Sequence, residues 1–227
     1  MIIPTRAFYR TMALCSTTAA VGMLVAQSWL ARYPSPEDVA DFIALHANPV
    51  FIAQSWVILV QVFLMFLAHW GVAVKNYRLS PALFATGFLF FLIWELLELV
   101  PRSINLFAAS YVWAPQYLAA VDESTRSIWE IGFRMFDDVS GAIRETRRVV
   151  IILAYLLFGL AIWRIGGWVR AISALYLLNS LRLTLGVIGG WSGSTWVSGG
   201  GTAAFLLLMV PMFILIGVWL WREPEPV

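Results

Sequence analysis

Apolar residues in this chain fall into long, nearly unbroken runs separated by short polar stretches, and the runs have the length of a membrane-crossing helix. Reading for apolar windows of about 20 residues predicts six crossings, at residues 11–31, 50–74, 81–107, 149–165, 168–189 and 202–221. The first run is read as a crossing rather than a cleaved leader, because Ala26-Gln27-Ser28 makes a poor small-x-small cleavage site. Two stretches between crossings keep a helical period but mix polarity. Ser35-Pro36-Glu37-Asp38 carries a hydroxyl N-cap, a proline for the first helical position and acids for the first turn. Val39, Phe42, Ile43 and His46 then recur at i, i+3, i+4 and i+7, which predicts an amphipathic helix over 35–48 lying on the membrane surface. Over 115–145, Trp129, Phe133 and Phe136 form an apolar stripe and Glu130 and Arg134 an i, i+4 pair, predicting a second amphipathic segment. The fold class is therefore all-α: one polytopic membrane helix bundle over 1–227, with six transmembrane helices and amphipathic helices outside the bilayer.

Prolines and glycines refine the crossings. Pro101 lacks an amide and disfavours the helical conformation of the residue before it, so the third crossing should kink or end just beyond Glu98. Pro211 should bend the sixth. Gly186 and Gly190 have the spacing that permits close helix contact.

Composition agrees with this threading. Hydrophobic residues make up 61% and charged residues 12%, with a mean hydropathy of +0.81. That leaves too little polar surface for a soluble domain, whose charged fraction is about 25%. The net charge of +2 is spread along the chain, without the basic face of a nucleic-acid binder. A single cysteine, Cys15, excludes an intrachain disulfide and a cysteine-based metal cage. Arg6, Arg10, Lys75, Arg78, Arg164, Arg170 and Arg222 all fall on one side of the threading, whereas the opposite short loops carry only Arg32. The positive-inside rule then places both termini in the cytoplasm and the amphipathic segments outside.

The candidate chemistry lies in charges within the crossings, where ionisable side chains are costly and must face the protein interior. Glu95, Glu98 and Arg102 follow at i, i+3 and i+7 and share one helical face. Arg182 lies about 20 Å into the fifth crossing, with Asn179 one turn before it on the same face. Helix directions bring Arg182 near the level of the glutamates, so Glu98 is expected to pair with Arg102, and Glu95 with Arg182 across helices. These residues would line an outward-facing polar pocket between the third and fifth crossings. Asp137, Arg144 and Arg148, on one face of a continued helix above the fourth crossing, would cap it.

No reaction attaches to this set. The chain has no Gly-x-Ser-x-Gly and no His-Glu-x-x-His. Its carboxylate pair has the wrong spacing for the Glu-Glu-x-x-x-Arg start of intramembrane prenyl-protein proteases and lacks the histidine motifs that must follow. No catalytic residue is assigned. His46 and His69 are placed too far apart for a bis-histidine haem. His69 is placed about 20 Å from the glutamates along the membrane normal, which argues against a metal site shared with them. No cofactor and no metal are expected.

The order of features resembles the six-helix bacterial membrane proteins grouped as domain of unknown function 4386. The shared features are a capped helix after the first crossing, a Glu-bearing third crossing, an extended Arg- and Asp-rich segment before the fourth, and the turn Gly166-Gly167-Trp168-Val169-Arg170. The resemblance covers nearly the whole chain. Two positions depart from it: no proline precedes Trp168, and Trp94 rather than a basic residue precedes Glu95. It implies a bacterial inner-membrane protein of this topology and carries no activity and no functional residues. Three readings follow. The first is a protein that binds or translocates a small ligand at the polar site. The second is an accessory subunit in which Glu95, Glu98 and Arg182 form an ionic lock and the exterior meets the bilayer, partner membrane helices or further copies of the chain. An intramembrane enzyme acting on a lipid-like substrate ranks last.

Overall fold

The computed structural model describes residues 5–30, 38–192 and 201–222. Its helices are α1 (Arg6–Leu30), α2 (Val39–His46), α3 (Pro49–Asn76), α4 (Pro81–Ser103), a π-helical segment (Ile104–Trp113), α5 (Ala114–Ala119), α6 (Glu123–Trp163), a 3-10 turn (Gly167–Val169), α7 (Arg170–Ser192) and α8 (Gly201–Trp221). No strand occurs among the described residues. Six helical stretches are long and apolar enough to cross a membrane: α1, α3, the run from α4 through α5, α6, α7 and α8. The chain is a multi-pass, all-α membrane bundle. A helix suits this solvent because it satisfies its backbone polar groups internally.

The six spans form a closed ring in chain order. α1 packs on α3, α3 on α4, α4 on α6, α6 on α7, α7 on α8, and α8 returns to α1. α6 therefore stands between α4 and α7. The start of α1 and the end of α8 lie at one end of the ring, where the Arg10 guanidinium stacks over Trp221 at 5.4 Å. There Lys75 Nζ, at the end of α3, donates to the Trp219 carbonyl at 2.5 Å and the Arg222 carbonyl at 3.3 Å. The turn from α6 to α7 also closes at this end. Gly166 and Gly167 occupy φ of +85° and +58°, values that L side chains avoid and that let a long helix reverse sharply.

Aromatic rings fill the ring's axis. His69 of α3 stacks on Phe91 of α4 with centroids 3.7 Å apart and is surrounded by Tyr155 and Phe158 of α6, Tyr176 of α7 and Phe213 of α8. Its Nδ1 bonds the Met65 carbonyl at 2.7 Å. α4 and α6 approach closely because Gly87 has no side chain: a Cβ there would lie 2.6 Å from the Phe158 ring.

The far end departs from the expected layout. The α-helical register of the third crossing ends at Ser103, just beyond Pro101 as expected, but the run does not stop there: it continues through the π-helical segment and α5, over Pro81–Ala119. The π-helical segment begins three residues after the proline, whose missing amide interrupts the α-helical hydrogen-bond ladder. The second amphipathic segment is not separate from the fourth crossing either. Both belong to α6, whose 41 residues span about 62 Å, twice the roughly 30 Å hydrocarbon layer. Its start is fixed by Asp122, whose carboxylate accepts from the Thr125 amide at 2.7 Å and the Ser124 hydroxyl at 2.5 Å. Those donors hold the Asp122 carboxyl at about 2, below the usual aspartate value. The far ends of the two long helical runs thus form a hairpin that extends beyond the ring.

The apolar face of α2 packs on this hairpin. Ile43 is fully buried with Ala109, Ala114 and Phe133, and Phe42 and Trp113 close the cluster. His46, read from the sequence as an interfacial side chain, is fully buried here as well. The described helix begins at Asp38, whose carboxylate caps the Asp41 amide at 2.8 Å; Ser35, Pro36 and Glu37 lie outside the described residues. The hairpin and α2 make a cap at the end opposite the termini.

Candidate functional site

Beneath the cap, at the end of the ring away from the termini, all six spans contribute to one cavity of about 430 Å³. Its polar lining comprises Gln27 of α1, Gln61 of α3, Glu98 and Arg102 of α4, Arg147 and Arg148 of α6, and Arg182 of α7. Met23, Met65, Met209 and Phe205 supply much of the apolar remainder, and Tyr155 lies in its wall next to the aromatic core. Four guanidinium groups thus face one carboxylate.

Glu98 is held from two helices. Arg102 Nε donates to Glu98 Oε1 at 3.0 Å one turn along α4, and Arg147 of α6 donates to Glu98 Oε2. The Glu98 side chain is 8% exposed and that of Arg147 is 21% exposed, so the second pair lies in a poorly solvated place where charge attraction is strong.

The expected couple of Glu95 and Arg182 does not form. α6 stands between their helices, and its Arg147 meets α4 at Glu98 instead. Glu95 is buried, does not line the cavity, and has no hydrogen-bond partner at either carboxylate oxygen. Arg182 does reach the cavity. Its guanidinium carbon lies 5.8 Å from the Phe205 ring centre, its Nε has no hydrogen-bond partner, and no carboxylate among the described residues lies within ion-pair distance.

Other expected members disperse. Asn179 is buried, gives its amide to the Leu175 carbonyl at 3.2 Å, and stays off the cavity. Arg148 lines the cavity and pairs with Glu145 at 2.6 Å. Asp137 and Arg144, 3.8 Å apart, line a separate cavity of about 250 Å³ in the cap. Arg147 was missed as a site residue, although it stands three residues from Arg144 and ten from Asp137, spacings that put it on their face. Gly186 and Gly190 meet nothing within 4 Å at their Cβ positions, so that spacing is not a packing seam among the described residues. Nor is His69 20 Å from the glutamates. It stacks on Phe91, one turn before Glu95 and about 6 Å along the axis. Position along α3 alone puts it nearer the helix end than the aromatic core allows. No group of three or more metal-ligating side chains occurs among the described residues.

Fold and site together define a multi-pass α-helical membrane protein with an arginine-lined cavity at the cap end of its bundle. No protein-family model, no curated protein and no solved structure matches the chain.

Proposed function

We propose that the protein binds a small organic anion, an acidic group on an apolar body, in the six-helix cavity. The observation that supports this most is Arg182. A guanidinium within the membrane-spanning part of a protein ordinarily has a counter-ion, and Arg182 faces a cavity in which the one carboxylate is already held by two other arginines. An anionic ligand supplies what is lacking. The fork of a guanidinium suits carboxylate and phosphate groups alike. The largely apolar wall accepts the rest of such a molecule, and the volume falls in the ordinary range for ligand pockets. This reading takes the termini as cytoplasmic, the cap as external and the membrane as a bacterial inner membrane. Kinship with the domain of unknown function 4386 proteins belongs to the same proposal and rests on the order of features alone.

Calorimetric titration of the protein in dodecyl maltoside with hexyl phosphate, and with hexyl glucoside as a neutral control, tests it. Hexyl phosphate should bind and hexyl glucoside should not. Arg182→Gln should weaken hexyl phosphate about 10–100-fold, the cost of one charge-assisted hydrogen-bonding group. Equal affinity in wild type and Arg182→Gln would overturn the reading.

A second reading is favoured by the Glu98 geometry: the clasp of Arg102, Glu98 and Arg147 ties α4 to α6. This ionic lock differs from the one expected between Glu95 and Arg182. It leaves Arg182 free for a ligand, so the two readings divide the charges between them.

A further inference from the structure

The two cavities share a wall. The larger, lined by all six spans, and the smaller, within the cap, have Arg102 and Arg147 in common, and these are the two side chains that hold Glu98. The lining of the smaller cavity carries Arg102, Arg144 and Arg147 against Asp137, and with Glu98 held between Arg102 and Arg147 one guanidinium remains in excess. Phe42, Phe136 and Pro101 form its apolar side, and the Ser140 hydroxyl on its lining is buried without a partner. Arg144 and Asp137 are 47% and 66% exposed, so this cavity opens to the surface of the cap. The larger cavity lies on the bundle side of the same two arginines.

We propose that the smaller cavity is a vestibule binding the same organic anion transiently, and that Glu98, clasped by Arg102 and Arg147, is the partition the anion crosses to reach the inner cavity. The proposal rests on the anion-binding reading of the inner cavity. An anionic group arriving at Arg144 meets the outer sides of Arg102 and Arg147. Each guanidinium carries five N–H donors in a planar fork, and the clasp uses one from each side chain. The arriving group accepts donors that Glu98 does not use and then replaces Glu98 on one arginine, so neither guanidinium passes through an unpaired state. Such an exchange avoids the large penalty of a buried, uncompensated charge. Arg182, which lines only the inner cavity, retains the ligand after the crossing.

A route and a resting site differ in kinetics. A change confined to the vestibule alters association and dissociation by the same factor and leaves the equilibrium constant unchanged, whereas a change at the resting site alters that constant. Stopped-flow binding of hexyl phosphate, followed by tryptophan fluorescence, tests this in two vestibule variants. Ser140→Trp fills the smaller cavity, and Arg144→Ala removes its outermost cation. In each, both rate constants should fall together, at least tenfold for Ser140→Trp and about threefold for Arg144→Ala, with Kd unchanged; Arg182→Gln should raise Kd. Wild-type rates in Arg144→Ala, or a changed Kd with unaltered association, would overturn the vestibule while sparing the inner site. Absence of hexyl phosphate binding to wild type would remove the anion-binding reading itself. Arg144 is half exposed, so Arg144→Ala keeps the test decisive if the tryptophan variant does not fold.

Discussion

Arg147 of α6 reaches across to Glu98 of α4 and shares its carboxylate with Arg102, so one buried acid links the two longest helical runs of the molecule. Glu95, three residues earlier, is as deeply buried and makes no such bond. The two glutamates of one sequence motif thus have unlike roles, and substitution should separate them.

Glu98→Gln should destabilise the bundle by about 3–5 kcal/mol, because it leaves the Arg147 charge in a poorly solvated site without compensation. Arg102 is 36% exposed and adds little to that figure. Glu95→Gln removes no ion pair and should change stability by less than about 1 kcal/mol. Equilibrium unfolding in a mixed-detergent titration measures both. Equal losses would contradict the assignment of the clasp to Glu98.

A buried ion pair is costly to break and cheap to replace. The double change Glu98→Leu with Arg147→Met keeps side-chain volume roughly constant and leaves only the partly exposed Arg102 without its partner. It should recover most of the stability that Glu98→Gln loses, while abolishing the partition between the two cavities. The same unfolding titration checks the first point. A double variant as unstable as Glu98→Gln would show that the loss comes from packing and not from charge.

The six crossings were legible because each apolar run had nothing else it could satisfy, and the threading followed from their number. The cap was legible only in pieces. Val39, Phe42, Ile43 and His46 announced an amphipathic helix, but periodicity does not say whether its apolar face meets lipid or protein, and Phe133 and Trp113 turned out to cover it. Pro101 was legible in part: its missing amide predicts a disturbed helix, and the α-helical register does give way just beyond it, but to a π-helical segment that keeps the run going. The site required knowledge of neighbours. Charge and depth alone pair Glu95 with Arg182, and only the order of helices around the ring, with α6 between α4 and α7, shows why α6 meets α4 through Arg147 and Glu98 and leaves Glu95 without a partner. The wall shared by the two cavities had no signature in any single stretch of sequence.

Gly87→Ala should destabilise the bundle by about 1–3 kcal/mol through overpacking. The added methyl would lie 2.6 Å and 2.9 Å from Phe158 ring carbons and 3.3 Å from Leu157 Cβ. That ring is wedged among Phe84, Phe91 and His69 and has nowhere to move. Phe158→Leu in the Gly87→Ala background frees the space and should restore part of the loss. Thermal unfolding in detergent compares the three proteins, and a fully stable Gly87→Ala would contradict the close approach of α4 and α6.

His46 makes the cap sensitive to acid. Its Nδ1 bonds the Phe42 carbonyl at 2.8 Å and its Nε2 faces the Asn105 amide nitrogen at 3.1 Å, an arrangement that suits a neutral ring donating at Nδ1 and accepting at Nε2. Phe42, Phe51 and Phe133 surround it. Burial lowers its pKa below the usual 6.5, and the hydrogen bond to Phe42 opposes that shift without cancelling it. Below pH 6.5 the unfolded chain therefore binds a proton that the folded cap resists. The stability His46 confers is fully present above that pH and declines as the solution is acidified towards the lowered value. Hydrogen exchange across residues 39–46, corrected for the intrinsic pH dependence of exchange, should show α2 well protected at pH 7.5 and less protected at pH 5. His46→Gln, which cannot titrate, should show the same protection at both. An equal loss in the glutamine variant would place the acid sensitivity elsewhere in the cap.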